Sequence, residues 1–221
     1  MVLNQILQPN RSFSRRIGKT LSNLQKELLN SDLPNFSLNK DLLSHAYKQN
    51  KEILLEIGFG MGEHFIHQAK SKKGSIFIGA EVYLNGVANV LKLAKEHDVT
   101  NFYLWPNDLD LILKDFPDKS LSGIYILFPD PWPKRNQHKK RIFNKDRLDI
   151  LQNKLKNNGF LIFASDIDDY FKVAVNLIIN NGNFKIIDDL DYMNNYIPTK
   201  YHKKAQDNGN TPKFVISIKL S

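Results

Sequence analysis

At 221 residues, with 42% hydrophobic and 11% aromatic content, the chain is long enough for a single domain with an appended arm and too apolar for a disordered one. It has no cysteine, which excludes disulfides, thiolate metal sites and cysteine nucleophiles, and no apolar run approaches the roughly 18 residues that would cross a membrane. The net charge of +8 gathers at Arg11 to Lys19, Lys134 to Arg141 and Lys200 to Lys204, a clustering that fits a polyanionic partner beyond simple solubility.

The first fifty residues read as an arm. Arg11 to Lys19 is basic and acid-free, but it is short for a transit peptide and gives way to a helical pattern containing acids. Apolar residues at 17, 21, 24 and 28 predict a helix over Ile17 to Leu29, which Asp32-Leu33-Pro34-Asn35 breaks. Asp41 to Asn50 reads as a second short helix. From Lys51 strands alternate with helices. The strands are expected at 53–57, 76–81, 102–105, 124–128, 160–165, 184–187 and 214–220. The helices are expected through about Lys70, at 83–97, 109–114, 144–155 and 168–180. Such alternation predicts a doubly wound, mostly parallel α/β sheet. The connection Asp188 to Lys213, 26 residues rich in Asn, Lys and Tyr, is long enough to be functional.

Two turns carry the chemistry. Glu56-Ile57-Gly58-Phe59-Gly60-Met61-Gly62 joins the first strand to the first helix of the alternating region. Glycines there let the backbone bend sharply and approach a ligand. The spacing is GxGxG rather than the dinucleotide GxGxxG. A glycine turn serving only strand–helix packing, or binding NAD, is the alternative reading. Glu81, ending the second strand, can accept from two ribose hydroxyls. Asn107 and Asp108, after the third strand, are placed to hydrogen-bond an adenine amino group.

The second turn is Pro129-Asp130-Pro131-Trp132-Pro133. Three prolines in five residues forbid helix and ladder pairing alike, so the chain leaves the fourth strand there as a stiff bend. Lys134 to Arg141 follows with five Lys or Arg residues, one His and no acid. A carboxylate and an aromatic ring at a strand end, bordered by a basic strip, suit a flat polar group attached to a polyanion. The strip would hold phosphates, or be solvated surface. Trp132 would stack on a base or ribose, or plug the sheet edge. Asp166, beyond the fifth strand, would meet a ligand, or cap the following helix. The histidines His45, His64, His67, His97 and His138 show no metal-ligand spacing with acids, and His64 and His67 read as surface residues.

The E-x-G-x-G-x-G turn resembles the S-adenosylmethionine site of class I methyltransferases. Nearly end to end, the chain resembles the bacterial tRNA (guanine-N7-)-methyltransferases. The likeness rests on Arg11-Ser12-Phe13 with Arg15-Arg16, Leu55 to Gly62, Gly79-Ala80-Glu81-Val82, and Phe128-Pro129-Asp130-Pro131-Trp132 with the basic strip behind it. The Pro-Asp-Pro-Trp element is the most specific piece.

The resemblance implies methyl transfer from S-adenosylmethionine to N7 of guanine 46 in the tRNA variable loop. It implies a basic arm over 1–50, a methyltransferase domain over 51–221, and a seven-stranded sheet with the last strand antiparallel. The cofactor side would comprise Glu56, Gly58, Gly60, Glu81, Asn107, Asp108 and Asp130. The tRNA side would comprise Lys134, Asn136, Lys139, Lys140, Arg141, Asp166, Thr199, Lys200, Tyr201 and His202. The enzyme would be cytoplasmic, a monomer or homodimer, with neither a metal nor a membrane as partner. His202 departs from the pattern, standing where the family carries a glutamate, which puts base reading at that position in doubt. Guanine N7 has an in-plane lone pair at neutral pH and needs no general base. Asp130 would therefore anchor the reactants, or stabilise the cationic purine product. Two rivals stay open: a methyltransferase of an exocyclic amine, and a non-catalytic RNA-binding protein on the same scaffold.

Overall fold

The computed structural model describes residues 14–18 and 20–221. Arg11, Ser12, Phe13 and Lys19 of the basic arm lie outside the described residues. Two compact units divide between Phe116 and Pro117.

In the first unit α1 (Asn23–Ser31), α2 (Leu33–Phe36) and α3 (Lys40–Lys48) precede the strands. The helix expected from residue 17 starts only at Asn23. Ser22 and Gln25 form a reciprocal capping box there, each side chain accepting from the other's backbone amide. The expected break at Asp32–Asn35 is a one-turn helix with Pro34 in its first turn, where a missing amide is tolerated. These helices dock on their own unit. Phe36 stacks on Phe102 with ring centres 4.5 Å apart, and the Leu38 amide donates to Leu104 O at 2.8 Å. Leu29, Leu33, Leu38 and Leu43 are buried, each contributing about 2 kcal/mol.

Then follow β1 (Ile53–Ile57), α4 (Glu63–Ser71), β2 (Ile76–Ala80), α5 (Leu84–Glu96), β3 (Phe102–Trp105) and α6 (Asp110–Leu113). β1 pairs with β2, and β2 with β3, all parallel, with Ile57 opposite Ala80 and Ala80 opposite Trp105. Their C-terminal ends are therefore level. Every residue of β1 and β2 is buried, as parallel strands covered on both faces require.

The second unit holds β4 (Leu121–Leu127), a 3-10 helix (Arg135–Lys140), α7 (Lys145–Lys154), β5 (Leu155–Ser165), α8 (Asp168–Asn181), β6 (Phe184–Ile187), α9 (Lys200–Asp207) and β7 (Lys213–Lys219). β4 and β5 begin earlier than expected because Leu121 pairs with Leu155 ahead of a register shift. Leu127 pairs with Ala164 in parallel, while Ser165 lies opposite Lys213 of antiparallel β7. The expected loop 188–213 contains a 3-10 turn (Leu190–Met193) and α9. Thr199 caps α9 by accepting from the His202 amide at 3.1 Å, and Ala205 is its buried residue. The seven strands are ordered β3-β2-β1-β4-β5-β7-β6. This is the expected α/β fold with its last strand antiparallel.

Candidate active site

In the first unit the glycine bend lies beyond the C-terminal end of β1. Gly58 has φ +73°, and nothing stands within 4 Å of where a Cβ would sit, so the bend presents bare backbone to open space. Glu81 braces it. One carboxylate oxygen accepts from the Gly60 amide at 2.8 Å and the other from the Tyr83 amide at 2.9 Å. Two further contacts hold the bend, and neither is legible as a sequence motif. Asn89 Nδ2 donates to Met61 O at 2.7 Å. A Cβ on Gly86 would come within 1.8 Å of Gly60 O, so only glycine lets α5 approach this closely.

Beyond β3, the Asn107 side chain accepts from the Asp108 amide at 2.9 Å and from Arg16 Nη1 at 3.3 Å; Arg16 also donates to Pro106 O. Burial pushes the Arg16 guanidinium below its ordinary value. Asp108 is buried, and its Oδ1 accepts from the Asp110 amide at 3.0 Å. Glu56 is 2% exposed, and its Oε2 lies 2.9 Å from His64 Nδ1, inside the unit. His64, expected at the surface, is buried too, with Nε2 3.2 Å from Gln68 Nε2. The i, i+4 spacing of His64 and Gln68 places both on the face of α4 turned inward.

In the second unit the Pro-Asp-Pro-Trp bend follows β4. Phe128 (φ +51°) and Trp132 (φ +42°) both lie in the left-handed region and bracket Pro129-Asp130-Pro131. Bulky residues take that conformation only where their surroundings over-determine it, and such strain concentrates at functional sites. At the first end the Phe128 amide donates to Ala164 O at 2.9 Å, and its ring packs edge-on to His202 and Phe214 at 5.6 and 5.9 Å. At the other end Lys140 Nζ lies 4.5 Å over the Trp132 ring. Asp130 itself is exposed.

The same ends of β4 and β5 gather the remaining expected residues. Asp166 accepts from Asn210 Nδ2 at 3.0 Å. It does not cap α8, whose cap is Ile167 without a side-chain bond. Thr199 is buried as the cap of α9, whereas Lys200 and Tyr201 are exposed. His202 Nδ1 and the Tyr196 hydroxyl share a 2.8 Å hydrogen bond, and burial lowers the imidazole's pKa. In the basic strip Lys134, Arg135, Asn136 and Lys139 are exposed. Arg141, expected to contact RNA, is 3% exposed, and its guanidinium bonds Pro131 O and Asp169.

A family model described as "Putative methyltransferase" matches residues 50–215. The chain is 58% identical over 219 residues to a bifunctional methyltransferase of Rickettsia conorii, an alignment that covers 98% of this chain and 41% of that protein. It therefore spans about two fifths of that relative's length. A tRNA (guanine-N(7)-)-methyltransferase of Rhizobium johnstonii is 36% identical, with 94% of each chain covered. Among solved structures, the 16S rRNA methyltransferase KamB superposes with a TM-score of 0.60 at 8% identity, covering 84% of this chain and 95% of that one, which shows a shared fold alone. On the family match and the full-length relative, this chain belongs to the bacterial tRNA (guanine-N7-)-methyltransferase family of S-adenosylmethionine-dependent enzymes.

Proposed function

We propose that this chain methylates N7 of guanine in tRNA, at position 46 of the variable loop. The observation that carries the reading is the exposed Asp130, set in a doubly strained turn and followed at once by a basic 3-10 helix.

The residues of the first unit fit the donor. A bare-backbone bend over open space at Gly58 admits a close-lying ligand, and a cationic ligand is favoured beside a carboxylate. A carboxylate offers about four acceptor positions, so Glu81 can hold the Gly60 and Tyr83 amides and still receive ribose hydroxyls. Asn107 and Asp108 take the adenine end, and Gly58 and Gly60 line the bend. Glu56 acts at one remove, through the packing of the bend's first strand against His64. When bound, S-adenosylmethionine supplies an electrophilic methyl group on a sulfonium.

On the acceptor side the chain binds and aligns. Lys134, Asn136, Lys139 and Lys140 take phosphates, giving affinity without sequence information. Asp166, Thr199, Lys200 and Tyr201 border the base, and His202 supports the turn from behind. Asp130 holds the purine so that its lone pair points at the methyl group, and its charge favours the cationic product. No proton has to be removed to create the nucleophile.

The test is incubation of the purified protein with unmodified tRNA and labelled S-adenosylmethionine, followed by nucleoside analysis. N7-methylguanosine, confirmed by strand cleavage under borohydride and aniline at position 46, supports the proposal. An N2- or N6-methyl product, which resists that cleavage, replaces it with methylation of an exocyclic amine. Absence of both product and donor binding leaves only an RNA-binding scaffold.

A further inference from the structure

The turn that carries Asp130 offers few backbone N–H groups by which a neighbour can grip it, because three of its five residues are proline. It is gripped through a carbonyl instead. Arg141 Nε donates to Pro131 O at 2.8 Å. The Nη2 of the same side chain donates to Asp169 at 2.6 Å, and the guanidinium lies 4.6 Å from the centre of the Tyr170 ring. Tyr170 is buried, with its hydroxyl accepting from the Phe143 amide at 2.9 Å. Asp169 and Tyr170 belong to the first turn of α8. A continuous chain of contacts thus ties the Asp130 turn to that helix.

Arg141 stands apart from the lysines of the basic strip. A guanidinium committed to a carbonyl, a carboxylate and a ring face, and withdrawn from solvent, is not presented to a phosphate. Its Nη1 is also buried without a hydrogen-bond partner. Leaving that donor unmade carries a desolvation cost.

We infer that Arg141 is a positioning residue: through the Pro131 carbonyl it sets where Asp130 presents its carboxylate, and it does not touch RNA. The inference rests on the reading of Asp130 as the acceptor-side residue.

Arg141→Lys, Arg141→Met and Asp169→Asn test it in the full chain, with unmodified tRNA and labelled S-adenosylmethionine. A lysine cannot span carbonyl and carboxylate as the planar fork does. The expected result is a fall in kcat at saturating tRNA of roughly 10- to 100-fold for the Arg141 variants, from misplacement of the reacting groups. The tRNA Kd and its salt dependence stay as in the unsubstituted protein. Asp169→Asn, at an exposed position that endangers folding least, shows a smaller loss. Its effect shrinks in the Arg141→Met background, since the two share one contact and only the facing His138, 3.8 Å from the same carboxylate, is left. The opposite pattern, unchanged kcat with weaker tRNA binding and a salt slope reduced by about 0.7 to 0.9, makes Arg141 a phosphate contact and overturns the proposal. Full activity in Arg141→Lys and Asp169→Asn overturns it as well.

A second readout does not depend on the product. In a Trp105→Phe background Trp132 is the sole tryptophan. Its acrylamide quenching rises on Arg141→Lys if the clamp holds the turn, and stays level if it does not. A protein that made no N7-methylguanosine would lose the proposed function, while the quenching would still decide the clamp.

Discussion

The ring of His202 meets that of Phe128 edge-on at 5.6 Å, directly behind the left-handed residue that opens the Asp130 turn. Phe214 and Tyr196 complete the cluster, and the Tyr196 hydroxyl bonds His202 Nδ1. His202 therefore supports the turn through packing.

Burial holds the His202 imidazole below its ordinary value, so the unfolded chain binds its proton more readily. The sign follows: stability is full above the unfolded value of about 6.5 and is lost as pH falls from there toward the lowered folded value. His202→Phe should remove the His202 share of that loss, while costing about 1 kcal/mol at neutral pH for the missing Tyr196 bond. Urea midpoints measured from pH 5 to 8 check this. Parallel profiles for the two proteins would mean that His202 titrates as it does unfolded.

Glu81 holds two backbone amides of the donor side with its two oxygens. Glu81→Ala should weaken S-adenosylmethionine binding about 10- to 100-fold, the equivalent of one to two charge-assisted hydrogen bonds. Titration calorimetry reads it. An unchanged affinity would remove Glu81 from the donor site.

Glu56 and His64 form a buried pair. Glu56→Ala removes the buried carboxylate beside His64 Nδ1 and should destabilise the protein by about 2 kcal/mol. Donor affinity should change far less than in Glu81→Ala. The comparison is a denaturation curve against a calorimetric titration of the same two proteins. A donor affinity lost with stability intact would restore Glu56 to direct contact.

Asp130→Asn keeps the shape of the side chain and removes its charge. We expect kcat to fall roughly 100-fold, as when one preorganised electrostatic contact is lost. Single-turnover rates at saturating tRNA and donor separate this from binding. Full turnover with only weaker binding would eliminate both roles proposed for the residue.

Lys139 is exposed in the basic 3-10 helix. Lys139→Ala should reduce the slope of log K against log salt by about 0.7 to 0.9, uniformly across tRNA sequences. Filter binding at several salt concentrations measures it. An unaltered slope would place Lys139 outside the RNA contact.

What the sequence determined by itself was local. Strand–helix alternation specified the α/β sheet, because burial on two faces demands continuous apolar runs. Glycine spacing located the first bend, and three prolines located the second. Residue type alone marked Asp130 and the basic run behind it as candidates. Tertiary structure decided which charged groups face solvent. Arg141 and Lys139 are neighbours of like charge in the sequence, yet one is clamped to Asp169, 28 positions away, and the other is exposed. Glu56 and His64 stand in separate elements, and only folding places them 2.9 Å apart, burying a histidine that reads as a surface residue. The physical reason is common to both: desolvation and pairing are set by contacts between elements distant in sequence, and composition and periodicity along one segment carry no record of them.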